Sequence, residues 1–406
     1  MLRGAFIDRM KIGILSYRLD YYPYLRNIIN MLPEAEYVPV NDMYSFLRRL
    51  ELAVNRHIRK PFFQVFDLNN QFDDFEFNKV DILHFINGIS YGTTPWVSTF
   101  ETVVPRFSDL MQRYHGRIKN SINMTSLIIR GFEALNQPAC KQIIAMSSCA
   151  AKMQTDLLSE LPTSDRDAIV KKMIVLHPPQ EVFQERIVPR TYDLDHPIRF
   201  VLVGAGFFRK GGREILLSFE KLINEDIAPI KLVIVSSLRL DYYAVQETET
   251  DRVWALEFIK DHSDWIEYYP TLPNTQVIEL IKTCDVGLLP TWAETYGFSV
   301  LEMQACGLPV ISTDIRALPE INNPSVGWLI HVPKNEMGEA LYTTVEERAL
   351  LSKQIQTGLE VIIRSIAEDP SLIAVKGKAA LEQIREQHNP RTYTEKLRQI
   401  YRFALE

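Results

Sequence analysis

The stretch Thr283–Thr313, TCDVGLLPTWAETYGFSVLEMQACGLPVIST, constrains the fold more than any other part of the chain. Asp285 to Leu289 is a short apolar run closed by Pro290, which suits a buried strand. Thr291 to Tyr296 is polar and reads as a loop. From Gly297 the spacing changes: Phe298, Leu301, Met303 and Ala305 suit a helix lying on a flat surface. Gly307 stands where a helix C-terminal glycine belongs, and Pro309 cannot continue a helix. Val310 and Ile311 then open another strand. Strand, helix and strand in this succession make a crossover unit of a parallel sheet.

Two glutamates frame the start of that helix. Glu294 lies in the loop and Glu302 inside the helix, with seven residues between them. A helix beginning at Gly297, Phe298, Ser299 and Val300 offers backbone N–H groups and a positive dipole end, suited to a phosphate. A carboxylate before the phosphate and another beyond it can each accept hydrogen bonds from hydroxyls. Two sugars flanking a diphosphate are a nucleotide-sugar. For an isolated E-x7-E pair, the ordinary reading is two surface glutamates near a helix. Here the pair comes with Gly297, the Ala305-Cys306-Gly307 turn and the Leu308-Pro309-Val310-Ile311 strand. The pattern E-x-Y-G-F-x-x-x-E-x-x-A-x-G-x-P-V-I resembles the signature of retaining glycosyltransferases of family 4. The resemblance implies the GT-B fold: two Rossmann-like, doubly wound parallel-sheet α/β domains facing a cleft, with a C-terminal helix crossing back to the first.

With 406 residues the chain is too long for one ordinary core. We expect an acceptor-side domain over 1–190, a nucleotide-sugar domain over 191–386 and a returning helix over 387–406. The net charge of −6 argues against a general nucleic-acid binder, which needs a basic footprint. Cys140, Cys149, Cys284 and Cys306 form no C-x-x-C pair or zinc spacing and read as reduced thiols of a cytoplasmic protein. No run of eighteen apolar residues occurs. Residues 1–9 read as a short leader before the first strand.

In the first half, strands are expected over 11–16, 81–86, 96–100, 142–147 and 172–176, with helices over 21–32 and from Ser148. Ligands in open α/β sheets sit beyond the carboxyl ends of strands. His84, Asn87 and Gly88 are therefore acceptor-side candidates, as are Tyr17 and Arg18 after the first strand. The turn YRLDYYPYL there lacks the glycines common in the family; aromatic packing is an equal reading of its tyrosines. Residues 44–63 are basic and amphipathic, either a solvated helix face or a contact with anionic lipid or an anionic acceptor. The resemblance places a histidine where this chain has Glu101, four residues before Pro105. A glutamate there can hold a sugar hydroxyl only as an acceptor when ionised. Residues 180–196 read as the linker.

The second half opens with a strand over 198–203 and the turn Gly204-Ala205-Gly206-Phe207-Phe208-Arg209-Lys210-Gly211-Gly212. Glycines let backbone approach phosphate, and Arg209 and Lys210 neutralise it. The turn resembles the family's G-R-x-x-x-x-K-G, with Gly204 and Lys210 matching and Ala205 replacing the arginine. Arg209 is the candidate to supply the missing charge. Further strands are expected over 232–236, 265–269 and 327–330, and the resemblance places Thr271 and Leu272 beside the nucleotide base.

The reaction implied is transfer of a sugar from a UDP- or GDP-linked donor to an acceptor hydroxyl, with retention of configuration and in glycan, glycolipid or polysaccharide synthesis. Glu302 would hold the ribose and Glu294 the transferred sugar. Arg209, Lys210 and the helix N-terminus would stabilise the leaving phosphate. The two Asp-x-Asp pairs of the sequence, Asp165/Asp167 and Asp193/Asp195, stand apart from these motifs, so no metal is expected to be required and the nucleotide-sugar is a co-substrate. The alternative is a GT-B-fold nucleotide-sugar-binding or scaffolding subunit, impaired in catalysis through Glu101 and Ala205, that partners an active transferase.

Overall fold

The structure, a computed structural model, describes residues 9–58, 65–116, 118, 122–187, 190–241 and 244–406. The expected leader, apart from Arg9, lies outside them, as do residues 59–63 of the basic segment. The chain forms two compact units. The first runs to Tyr114, resumes through Pro179 and takes in Pro390–Glu406; the second holds His115–Ile118 and Gln180–Asn389.

The strands of the first unit are β1 (Lys11–Leu15), β2 (Glu36–Val40), β3 (Gln71–Phe72), β4 (Ile82–Ile86), β5 (Ile89–Ser90), β6 (Trp96–Phe100), β7 (Cys140–Ala145) and β8 (Met173–Val175). Six of them make a parallel sheet in the order β2-β1-β4-β6-β7-β8, and β3 pairs with β5 separately. Every residue of β4 and β6 is buried, which is why neither shows the strict apolar-polar alternation of a half-buried strand. The chain winds outward from β1 to β2, then returns past β1 to β4. That reversal opens a crevice beyond the carboxyl ends of β1 and β4.

The expected helix over 21–32 is shorter, Tyr22–Asn27. Asn30 adopts a left-handed conformation and the chain turns, yet Ile28 and Leu32 remain buried, so the apolar spacing described burial more faithfully than helix length. Helix Met43–Ile58 carries the start of the basic segment and leaves Phe46, Leu50 and Leu52 exposed. The last helix, Pro390–Leu405, belongs to the first unit, packing on β4 and β7 with Tyr393, Leu397, Ile400, Tyr401 and Ala404 buried.

The second unit contributes β9 (Ile198–Val203), β10 (Ile230–Val235), β11 (Ile266–Tyr269), β12 (Val286–Leu289), β13 (Val310–Thr313) and β14 (Trp328–Ile330). Their order, β11-β10-β9-β12-β13-β14, is the doubly wound dinucleotide-fold order, with its reversal between β9 and β12. Helix Phe298–Ala305 crosses from β12 to β13 and lies between them and helix Ser371–Gln387.

The described residues of 180–196 are not a free linker, and the first unit ends at Pro179, before residue 190. Gln180 N–H donates to His388 O at 2.8 Å. Phe183 and Gln184 N–H groups donate to Ala305 O at 2.9 and 3.2 Å, satisfying a carbonyl at the end of helix Phe298–Ala305. Arg190 Nη1 and Tyr192 OH reach Asp285 Oδ1 at 3.0 and 3.2 Å. The segment lacks apolar periodicity because its polar groups, not a buried face, tie it to the second unit.

Candidate functional site

At the reversal of the second sheet, β9 runs into the Gly204–Gly212 turn and β12 into the 290–297 loop. Gly204 has φ 140°, and a Cβ there would stand 2.3 Å from Lys210 Cε. The absent side chain is what lets Lys210 fold back over the strand end. The loop is then laced to this turn. Trp292 N–H donates to Arg209 O at 2.8 Å, and Thr291 Oγ1 reaches Arg209 O and Ala293 O, both at 2.9 Å. Thr313 Oγ1 donates to Thr291 O at 2.7 Å, anchoring the loop to the end of β13.

These bonds bring three predicted residues together. Lys210 Nζ lies 3.4 Å from Glu294 Oε2, and Arg209 Nη1 lies 3.8 Å from the same oxygen. Arg209 is itself held: Nε donates to Asp241 Oδ2 and Nη1 to Ala293 O, both at 2.6 Å. Burial pushes the Glu294 carboxyl up, but the Lys210 and Arg209 charges and the Thr295 N–H outweigh it and hold the group below the usual carboxylate range. The cluster therefore carries two cations and two carboxylates at the place where the sheet order creates a ligand crevice.

Gly297 caps helix Phe298–Ala305 with φ 97° and no side-chain hydrogen bond. A Cβ at Gly297 would stand 2.6 Å from Leu318 Cδ2, so both conformation and packing require glycine. Ser299 Oγ is buried without a hydrogen-bond partner among the described residues. Val300 does not serve as expected: its N–H donates to Gly297 O at 2.9 Å, closing the first turn. Glu302 is largely buried in the middle of the helix. Thr271 is exposed and Leu272 half-buried just beyond β11, on the same carboxyl edge of the sheet.

In the first unit the candidates divide. His84 is fully buried, with Nδ1 2.6 Å from Tyr401 OH and Nε2 2.8 Å from Thr99 Oγ1. Burial lowers its pKa to about 3, so it is a neutral core residue joining the last helix to the sheet, not an acceptor-side group. Gly88 is buried as well, packed toward Phe85. Asn87, with φ 62°, turns the chain at the end of β4 and accepts the Glu101 N–H on Oδ1 at 3.1 Å. Glu101 Oε2 lies 3.6 Å from Arg106 Nη1, so the carboxylate standing where a histidine was expected has a cation beside it. Beyond β1, Tyr17 OH and Arg18 Nη2 both reach Asn69 O, at 3.4 and 3.2 Å, and Arg48 lies 4.7 Å over the Tyr17 ring.

Sequence reasoning missed Asp241, Thr291 and Arg106. Asp241 and Thr291 act across gaps of 32 and 82 residues that no local pattern marks, whereas Arg106 follows Glu101 closely. Among the described residues no group of three or more His, Cys, Asp or Glu is placed to hold a metal ion, and no helix is long and apolar enough to cross a membrane.

Two parallel-sheet units and a last helix returned to the first are the GT-B fold. Sucrose-phosphate synthase from Thermosynechococcus elongatus shares it, with TM-score 0.54 at 14% identity over 92% of this chain and 81% of that one. HepE of Anabaena, in complex with UDP, matches with TM-score 0.52 at 12% identity over 90% and 85%. Residues 187–360, all in the second unit, match the family model described as glycosyl transferases group 1. Among curated relatives, D-inositol 3-phosphate glycosyltransferase of Paenarthrobacter aurescens (strain TC1) is 29% identical over 110 residues, 25% of this chain and 27% of that protein. Alpha-maltose-1-phosphate synthase of Mycolicibacterium smegmatis (strain ATCC 700084 / mc(2)155) is 23% identical over 271 residues, 65% of this chain and 63% of that protein. The chain thus spans 27% of the first relative's length and 63% of the second's.

Proposed function

We propose that the chain is a retaining glycosyltransferase of family 4 that moves a sugar from a UDP- or GDP-linked donor to an acceptor hydroxyl in glycan, glycolipid or polysaccharide synthesis. The observation that carries this reading is the meeting of Glu294 with Lys210 and Arg209 at the β9/β12 reversal. A diphosphate entering there meets two fixed cations and the start of helix Phe298–Ala305. When the sugar–phosphate bond breaks, negative charge grows on the leaving phosphate. Preorganised cations stabilise that charge without reorganising, and in this role they stand in for a metal. Glu302 accepts bonds from the ribose and Glu294 from the transferred sugar. Gly204 keeps space for Lys210, and Thr271 and Leu272 lie toward the base.

The acceptor end belongs to Tyr17, Arg18 and Asn87 at the strand ends of the first unit, and Glu101 is the catalytic candidate there, able to hold a sugar hydroxyl. The names of the relatives, a glycosyltransferase and a synthase, support the enzyme reading over an inactive subunit. Location in the cytoplasm is proposed, with peripheral membrane contact through residues 44–63, whose described part joins Arg48 and Arg49 to exposed Phe46 and Leu50.

The test is a thermal-shift screen of nucleotide-sugars on the full chain, followed by transfer assays with each donor that binds. Binding of one donor with release of free nucleoside diphosphate in the presence of acceptor supports the proposal. Binding without release in any acceptor panel favours the scaffolding subunit, and no binding of any donor ends both readings.

A further inference from the structure

Arg209 is held more firmly than a cation waiting in solvent would be, and the segment that holds it has no assigned role. After β10 the chain folds back over the Gly204–Gly206 turn. Arg239 N–H donates to Ala205 O at 2.9 Å, and Ser236 Oγ reaches the same carbonyl at 3.3 Å. Leu238 N–H donates to Ser236 Oγ at 3.2 Å, with Leu238 itself at φ 49°, so the backbone is bent to make this return. The bend delivers Asp241 Oδ2 to Arg209 Nε at 2.6 Å. From the other side Ala293 O takes Nη1 at 2.6 Å, in the residue before Glu294. A Cβ on Gly206 would stand 3.2 Å from Asp241 Oδ2 and 3.4 Å from Arg209 Nη2, so the pair fills the space beside that glycine. Nη2 makes no hydrogen bond among the described residues.

Ala205 stands where a cation would be expected at this turn, and the loop that closes on Ala205 O is the one that supplies Asp241. We propose that residues 236–241 form a clamp and that Asp241 is the positioning residue for Arg209. The clamp fixes the guanidinium plane so that Nη2 serves a diphosphate from four residues beyond the vacant position. A planar guanidinium pinned at two nitrogens loses little freedom on binding a phosphate, whereas an unpinned one must first be ordered. The inference rests on the nucleotide-sugar reading of the same site.

Two effects of Asp241 oppose each other, and this makes the test sharp. Its charge repels a diphosphate; its hydrogen bond aims Arg209. Asp241→Asn keeps an acceptor for Nε without the charge, and Asp241→Ala removes both. UDP and GDP are titrated calorimetrically into the full chain and its variants, with unfolding temperatures recorded. We expect Asp241→Ala to weaken binding tenfold or more and Asp241→Asn to stay within about threefold of wild type. In an Arg209→Ala background, Asp241→Ala should add less than about threefold, because its effect passes through the guanidinium. Where the alanine variant does not fold, Asp241→Ser provides the truncation. Undiminished or tighter binding by Asp241→Ala, or an equal loss with and without Arg209, overturns the clamp while leaving the site intact. A wild-type chain that binds neither nucleotide overturns the underlying reading as well.

Discussion

His84→Gln isolates the cost of keeping one imidazole neutral inside the first unit. The wild-type ring is fully buried between Tyr401 OH and Thr99 Oγ1, at 2.6 and 2.8 Å. Burial lowers its pKa from 6.5 to about 3. The sign follows from proton counting. Below 6.5 the unfolded chain takes up a proton that the folded chain refuses, so acid favours unfolding. At about pH 5 the unfolded state gains about 1.5 pH units of protonation free energy, or about 2 kcal/mol, and at about pH 7.5 almost none. Glutamine keeps a donor and an acceptor for the two hydroxyls but does not titrate in this range. Whatever packing it sacrifices is the same at both pH values, so the informative quantity is the change in the wild-type minus variant difference. Amide hydrogen exchange on β4 and β6 reads the stability of the first unit alone. The wild type should lose about 2 kcal/mol relative to His84→Gln between about pH 7.5 and 5. A difference that stays constant refutes the claim that the ring is held neutral and with it the structural role given to His84.

Lys210→Ala should weaken UDP or GDP binding by about 1.5–3 kcal/mol, the scale of a charge-assisted hydrogen bond, and calorimetry reads it directly. Glu302→Ala should cost about 1–3 kcal/mol with the same ligands; a variant that binds as wild type does removes Glu302 from the ribose site. Glu294 is held below the ordinary carboxylate value of 4.5, so its stabilisation is present above that pH and is lost as pH falls through its folded value. Acid melts of wild type and Glu294→Gln should accordingly begin to converge as pH falls below 4.5, and parallel curves would count against the Lys210 and Arg209 pairing.

The parallel strands were legible because they are buried on both faces and bounded by turn residues; β6 and β9 begin and end where the sequence placed them. The second-unit site was legible in part for a related reason. Gly204, Lys210, Gly297 and Glu294 lie in turns whose backbone requirements are written locally. Asp241 was not, since a carboxylate 32 residues from its arginine carries no periodic mark. Val300 and His84 failed for a different reason. The residue type and position were right for a strand or helix end, but a turn hydrogen bond and a hydroxyl from the last helix had already taken the polar groups. Helix Val345–Glu368 was passed over although Thr344 and Glu347 form a capping box, a signal the sequence does contain.

The return of Pro390–Leu405 to the first unit has a consequence for synthesis on the ribosome. His84 and Tyr401 are 317 residues apart. At about 5–20 residues per second, His84 emerges about 15–60 s before its partner exists. Through that interval β4 and β7 lack the helix that covers them, and an imidazole destined to be buried faces water. The second unit, by contrast, ends its own segment at Asn389 and can close first. The half of the protein made earliest is therefore the half completed last, and chaperone binding to nascent chains should concentrate on the first unit until the final helix is released.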